Sequence, residues 1–385
     1  MSLEPIVVGV LFSRTGLTAV TEQSMLDATL FSIGEVNEAG GINGRELVPI
    51  CLDPGGDPAL YNEMADRLLA EKGVRVIFGC YMSSSRKAVI RAVERRNGLL
   101  CYPAQYEGFE YSNNVIYCGA VPNQNSLQLG SFLLQNVGTR FYMVGSDYIW
   151  PQESNRIMSD LILRNGGTVA GQRTLSLEAE RHEYASLVRD IRKASPDVIF
   201  CNFVGESIVH FYQAYADAGL SPATMPIASL TTSEADIRAM GAEVGSGHLT
   251  SATYFQSCPG ERNEACMKRY AERTGGAVTT NMCWEAAYFQ VQVVADAMRR
   301  VDSDEIDVLR PAILDSTYDA PQGPIRLDRR TGHTALWPKI GRATPDGQFE
   351  IIAMSESPVD PDPYLANQAE HEWVSGIQRK YLVNC

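Results

Sequence analysis

The chain has 385 residues, 45% of them hydrophobic and 21% charged, and a formal net charge of −13. That length exceeds one ordinary core and predicts two domains of globular composition. The acidic balance disfavours a nucleic-acid partner, which needs a basic surface, and no apolar run approaches the roughly 18 residues of a membrane span.

In chain order, short β-branched runs alternate with amphipathic stretches. "IVVGVLF" opens the series as a buried strand. It lacks the basic flank and cleavage site of a secretory leader, so the expectation is a soluble, cytoplasmic chain without an address. A helix is expected from about Thr18 to Ala39, closed by Gly40-Gly41. "LVPICLD" leads through the turn "PGGDP" to a helix near Leu60 to Lys72; "VRVIFGCY" leads to one near Ser84 to Arg96, and "GLLCYP" follows. This βαβ rhythm predicts a mostly parallel sheet flanked by helices on both faces.

The rhythm restarts after "VPNQNS" with "RFYMVGSD", "TVAGQRTL", "PDVIFCNFV" and "MPIASL", a second α/β set from about Pro122 to Gly247. After "HLTSATYFQS", helices are expected near Glu261 to Thr274 and Met282 to Arg300. The tail from Pro324 carries the short strands "PIRLD" and "FEIIAM", then "SPVDPDPY". Its acidic stretches "DPDPY" and "EHEW" have no catalytic spacing and read as a solvated wrap around the second set. Nine cysteines, five of them (Cys51, Cys80, Cys101, Cys118 and Cys201) in or beside strand-like runs, make a poor disulfide framework and favour a reducing compartment. Without C-x2-C spacing, and with five dispersed histidines, neither a metal site nor a cofactor is expected.

Ligands of open α/β sheets sit beyond the carboxyl ends of the strands. Those ends read "SRTG", "CYMSSS", "YPAQY", "GSDYIW", "VGES" and "SLTTSE". They are rich in hydroxyls, rings and small residues and poor in charge, a lining suited to a small, neutral, polar ligand. Ser83, Ser84 and Ser85 stand where a helix begins and read first as caps. Arg86 and Lys87 in the first turn suit a carbonyl oxygen or a solvated lip, since the helix dipole there favours acids. G-x4-G-K-[ST] and G-x-S-x-G are both absent, and no histidine partner is evident, so Ser83 reads as a hydrogen-bonding ligand contact rather than a nucleophile. Tyr81, Tyr102, Tyr148 and Trp150 all fall at strand exits and count as a group, although a lone aromatic is more often packing. Of Thr231 and Thr232, one is expected to cap the next helix, with Glu234 in its first turn, and the other to face the ligand. Glu206 sits comfortably at a helix start without a ligand.

The blocks "DPGGDP", "FGCYMSSSRKAV", "LLCYPAQYEGFEYS", "VPNQNS", "VGSDYIWPQESN", "IASLTTSEA", "WEAAY", "DAPQGP" and "PDPY" run in order from Asp53 to Tyr364. Together they resemble the type I periplasmic-binding-protein family. More narrowly, they resemble its branch of the amide sensor AmiC and the urea and short-chain-amide receptors of ABC transporters. The resemblance implies two α/β lobes joined by three crossovers, with the ligand in the cleft between them. Lobe one would hold residues 1–120 and 254–332, and lobe two residues 121–253 and 333–385. It also implies a pocket of Tyr81, Ser83, Tyr102, Tyr148, Trp150, Thr231 and Thr232, to which the strand end "VGES" adds Gly205. Ala104 and Gln105 depart from the amide sensor, as does Trp150, where the sensor has a smaller aromatic, and Gln105 looks more like the urea receptors.

Three functional classes follow. The expected one is a cytoplasmic amide sensor that acts on an antiterminator partner of an amidase operon. The alternative is a periplasmic receptor delivering urea or amides to an ABC permease. An enzyme is disfavoured, because no nucleophile–base constellation is evident. A homo-oligomer is left open.

Overall fold

The computed structural model describes residues 3–276 and 278–366 and the backbone of Ile377–Gln378; "EHEW" lies outside them. The chain divides into two compact units. Unit 1 comprises Met1–Ala120, Gly260–Val278 and Cys283–Leu336, and unit 2 the remainder.

Unit 1 opens with β1 (Ile6–Leu11), α1 (Ala19–Glu38), β2 (Leu47–Leu52), α2 (Pro58–Glu71), β3 (Val76–Gly79), α3 (Ser83–Arg96), β4 (Leu99–Tyr102) and β5 (Val115–Tyr117). The five strands form one parallel sheet in the order β2-β1-β3-β4-β5. Val8, Val10, Ile77 and Phe78 are fully buried, as both faces of a helix-covered sheet require. Gly9 lets α2 lie close, since a Cβ there would come within 2.9 Å of Leu68. Asp57 caps α2 by accepting from the Ala59 amide at 2.8 Å, with Pro58 in the first turn. The chain leaves α3 through Asn97 at φ 49°, a left-handed turn that asparagine tolerates.

Unit 2 repeats the plan. After a 3-10 turn at Pro122–Gln124 come α4 (Ser126–Asn136), β6 (Arg140–Ser146), α5 (Ile149–Arg164), β7 (Thr168–Leu175), α6 (Arg181–Ala194) and β8 (Val198–Asn202). Then follow α7 (Glu206–Asp217), β9 (Ile227–Ser229), α8 (Glu234–Met240), α9 (Ala242–Gly245) and β10 (Leu249–Ala252). Its parallel strands stand in the order β7-β6-β8-β9-β10, the arrangement of unit 1 again.

The chain then returns to unit 1 as α10 (Glu261–Thr274), α11 (Met282–Val301), α12 (Ile306–Leu314) and a small antiparallel sheet of β11 (Thr317–Ala320), β12 (Gly323–Leu327) and β13 (Thr334–Ala335). Helix α11 packs on α1, with the Phe31 and Tyr288 rings 5.7 Å apart and Ser32 Oγ donating to the Tyr288 carbonyl at 2.9 Å. Finally β14 (Lys339–Ala343), β15 (Phe349–Ser355) and the backbone of β16 (Ile377–Gln378) extend the sheet of unit 2 antiparallel from β10.

The unit boundaries fall differently from the expected lobe boundaries in three places, one of them Thr279–Met282, which falls in unit 2. Residues 333–336 belong to unit 1: Thr334 pairs with Leu327, and its hydroxyl donates to the Tyr117 carbonyl at 3.0 Å. Residues 254–259 stay with unit 2, where Phe255 meets the Phe349 ring at 4.7 Å and Ser257 Oγ donates to the Phe349 carbonyl. The "DPDPY" tail is fastened to unit 2 rather than merely solvated: Asn123 Nδ2 donates to the Asp360 carbonyl, and the Asp362 amide donates back to Asn123 Oδ1. Among the described residues eight cysteines are free thiols, all buried but Cys51, which is exposed on β2 instead of packed within it.

Candidate ligand-binding site

Both sheets reverse direction after their first strand, so each has a topological switch point where two neighbouring strand ends diverge and leave a crevice. In unit 1 the switch lies between β1 and β3, and in unit 2 between β6 and β8. The expected ligand residues distribute accordingly. Tyr81 and Ser83 follow β3, while Tyr102, Ala104 and Gln105 end or follow its neighbour β4. Tyr148 and Trp150 follow β6, Gly205 follows β8, and Thr231 and Thr232 follow β9.

In unit 1 the loop after β3 turns at Cys80, which takes φ 71° although it is not glycine. Its amide donates to the Leu11 carbonyl at 3.0 Å, tying the loop to the end of β1. Tyr102 OH donates to the Tyr81 carbonyl at 2.6 Å and fixes the next residue. Tyr102 is wholly buried, so it positions the Tyr81 loop and does not offer its ring edge outward. The Tyr81 side chain itself is half-buried. Ala104 is buried under Gly119, where a Cβ would meet the Ala104 carbonyl at 2.0 Å, and Gln105 is buried beside it.

The serines do not cap α3. Met82 occupies the N-cap without a side-chain bond, and Ser85 Oγ donates back to the Met82 carbonyl. Arg86 is the larger correction. It is not a solvated lip; its exposure is 0%. Its Nε donates to Glu110 Oε1 at 2.8 Å, its Nη2 to Glu107 Oε1 at 3.0 Å, and its Nη1 to Ser83 Oγ at 3.1 Å. The guanidinium also lies over the Tyr106 and Tyr102 rings, 4.4 and 4.9 Å from their centroids. Lys87 closes the cluster on Glu110 at 3.0 Å. Burial alone would raise the Glu110 carboxyl, but Arg86 and then Lys87 hold it below its ordinary value. Behind them His333 stacks on Tyr117 at 4.1 Å. Burial lowers His333 to about 4; the neutral ring then donates from Nδ1 to the Thr331 carbonyl and accepts the Tyr106 hydroxyl at Nε2. Glu107 and Glu110 have no role in the sequence reading, although both stand inside the quoted block "YPAQYEGFEYS".

In unit 2, Tyr148 is the N-cap of α5 in an extended conformation, and its side chain is half-buried. Trp150 sits in the first helical turn and is 4% exposed. Gly205 is the N-cap of α7 at φ 59°, ψ −142°, a backbone region that only glycine enters freely. Neither Thr231 nor Thr232 caps α8. Ser233 does, with Asp236 Oδ2 accepting its amide and hydroxyl at 2.8 and 2.7 Å. Both threonine hydroxyls have internal partners: Thr231 Oγ1 donates to the Phe203 carbonyl at 2.8 Å, and Thr232 Oγ1 lies 3.0 Å from Tyr212 OH. Together with Ser229 they lock the ends of β8 and β9 to one another.

Glu234, in the first turn of α8, is buried and accepts the Gln256 amide at 2.8 Å. Burial raises its carboxyl to about 7, opposed mainly by that hydrogen bond; Asp236 beside it is raised to about 6 by burial, and Arg238 is the nearby cation. A folded-state value above the unfolded one means that the native protein binds the extra proton. The Glu234 contribution is therefore present at low pH and lost as pH rises from about 4.5 to about 7. Glu234→Gln keeps an oxygen for the Gln256 amide and removes the ionisation. Its stability relative to the parent, read by urea denaturation, is expected to improve between pH 5 and pH 8. A pH-independent difference would contradict this.

Two α/β lobes, each with aromatic and hydroxyl side chains at the switch point of its sheet, constitute the type I periplasmic-binding-protein fold. The chain belongs to the family described as periplasmic binding protein domain, whose model matches residues 6–370. Among relatives, Leu/Ile/Val-binding protein homolog 4 of Brucella melitensis is 22% identical over 369 residues, covering 88% of this chain and 84% of that protein. A limonene hydroxylase of Geobacillus stearothermophilus is 26% identical over 128 residues, 33% of this chain; the match spans only 23% of that protein's length. Among solved structures, an ABC transporter solute-binding protein of R. palustris, in complex with 4-hydroxybenzoate, superposes with a TM-score of 0.84. It has 20% identity and covers 94% of this chain and 99% of that one.

Proposed function

We propose that the protein is the substrate-binding component of an ABC-type uptake system and takes up a small polar solute without transforming it. The observation that carries this reading is the repeated strand order. Each unit places half-buried tyrosine and small residues at its switch point, Tyr81 with Ser83 in one and Tyr148 with Gly205 in the other. The relatives support the transport reading over the sensor. One is described as a Leu/Ile/Val-binding protein, and another, an ABC solute-binding protein, holds an aromatic acid. A membrane permease is then the partner, and the working place lies outside the cytoplasmic membrane. A cytoplasmic amide sensor with an antiterminator partner is the second reading, favoured by the eight free cysteines and by the quoted blocks. Cell fractionation separates the two.

Calorimetry of the purified protein against leucine, benzoate, 4-hydroxybenzoate, acetamide and urea tests the solute reading. At least one is expected to bind with a Kd of about 1 mM or tighter, corresponding to roughly 4 kcal/mol. Silence from all five would overturn it.

A further inference from the structure

Resting on the solute-binding reading and on Ser83 as a contact, we propose that Glu107 and Arg86 act as specificity-determining residues by fixing the polarity of the Ser83 hydroxyl. A serine hydroxyl has one hydrogen to donate and two lone pairs to accept with. The carboxylate of Glu107 accepts from Ser83 Oγ at 2.5 Å, which uses the hydrogen. The guanidinium of Arg86 can only donate, and its Nη1 reaches Ser83 Oγ at 3.1 Å, which uses one lone pair. What remains is a single acceptor site. Both partners and Ser83 itself are buried, at 3% (Glu107), 0% (Arg86) and 2% (Ser83) exposure, so water does not compete to reorient the hydroxyl. Ser83 thus accepts an N–H or O–H of a solute and repels a carboxylate oxygen.

The arrangement also dictates how it can be inverted. In Glu107→Gln, Arg86 Nη2 still demands an acceptor where Glu107 Oε1 now stands, 3.0 Å away. The glutamine oxygen must take that position, which turns its NH2 toward Ser83. Ser83 then accepts from both neighbours and its hydrogen is released for the solute. A residue with a purely structural role would lower affinity for all ligands alike and would not reverse a preference.

The test is calorimetry with two matched pairs, acetamide against acetate and benzamide against benzoate, on the parent, Glu107→Gln and Ser83→Ala. The parent is expected to prefer the amide of a binding pair by about tenfold, the scale of one hydrogen bond exchanged for an unsatisfied polar group. Glu107→Gln should shift that ratio toward the acid by about tenfold. Ser83→Ala should lose several-fold in amide affinity with no loss for the acid, and it provides the reading if Glu107→Gln does not fold. Preference for the acid in the parent, or ratios unchanged in both variants, overturns the proposal while leaving solute binding intact. Failure of all four compounds and of leucine to bind counts instead against the solute-binding reading.

Discussion

Arg86→Ala is expected to cost about 3–5 kcal/mol of folding stability, measured by urea denaturation at neutral pH. The warrant is the asymmetry of buried ion pairs: removing one partner strands the others in a medium that cannot solvate them. Arg86 is the shared donor of Glu107, Glu110 and Ser83, so its loss leaves two carboxylates with only Lys87 as an ionic partner. It also strips the cation from the faces of Tyr102 and Tyr106. Arg86→Lys should recover only part of the loss, because an ammonium cannot span the fork that reaches both glutamates. A loss under about 1 kcal/mol for the alanine variant, the level of an exposed pair, would show that the cluster is solvated.

The second large effect separates two aromatic residues that the sequence treats as equals. Trp150 is 4% exposed, and truncating a buried aromatic costs about 3–5 kcal/mol, so Trp150→Ala should behave first as a stability variant. Tyr148 is half-buried at the end of β6, where the crevice opens. Tyr148→Ala should keep the midpoint of unfolding close to the parent and weaken the best solute by about tenfold to a hundredfold, or 1.4 to 2.7 kcal/mol. If Trp150→Ala is stable and binding-deficient while Tyr148→Ala binds normally, the assignment of the two residues is reversed.

Much of this was legible in the sequence because it is local. Strand candidates such as "TVAGQRTL" end where β7 ends, and the composition of the strand exits is visible without the topology. What the sequence hides is pairing across distance. The first-turn cation Arg86 looks solvent-facing until the loop 21 to 24 residues later brings Glu107 and Glu110 onto it. The Tyr106 hydroxyl meets His333, 227 residues away, and that contact moves residues 333–336 into the first unit. Hydroxyl-rich strand ends are ambiguous in the same way. Ser83, Thr231 and Thr232 stand where ligand contacts stand, yet each spends hydrogen-bonding capacity on its own neighbours. Residue type and position locate a site; the partner of each polar atom decides what it can do there.

The central claim is that the protein binds a small solute and leaves it unchanged. Equilibrium dialysis of the parent protein with labelled solute, using the tightest binder among the five compounds, measures this directly. The account predicts saturable binding of a solute that is recovered chemically intact, with Tyr148→Ala weakening that binding. Absence of saturable binding, or a recovered solute that has been converted, would contradict it.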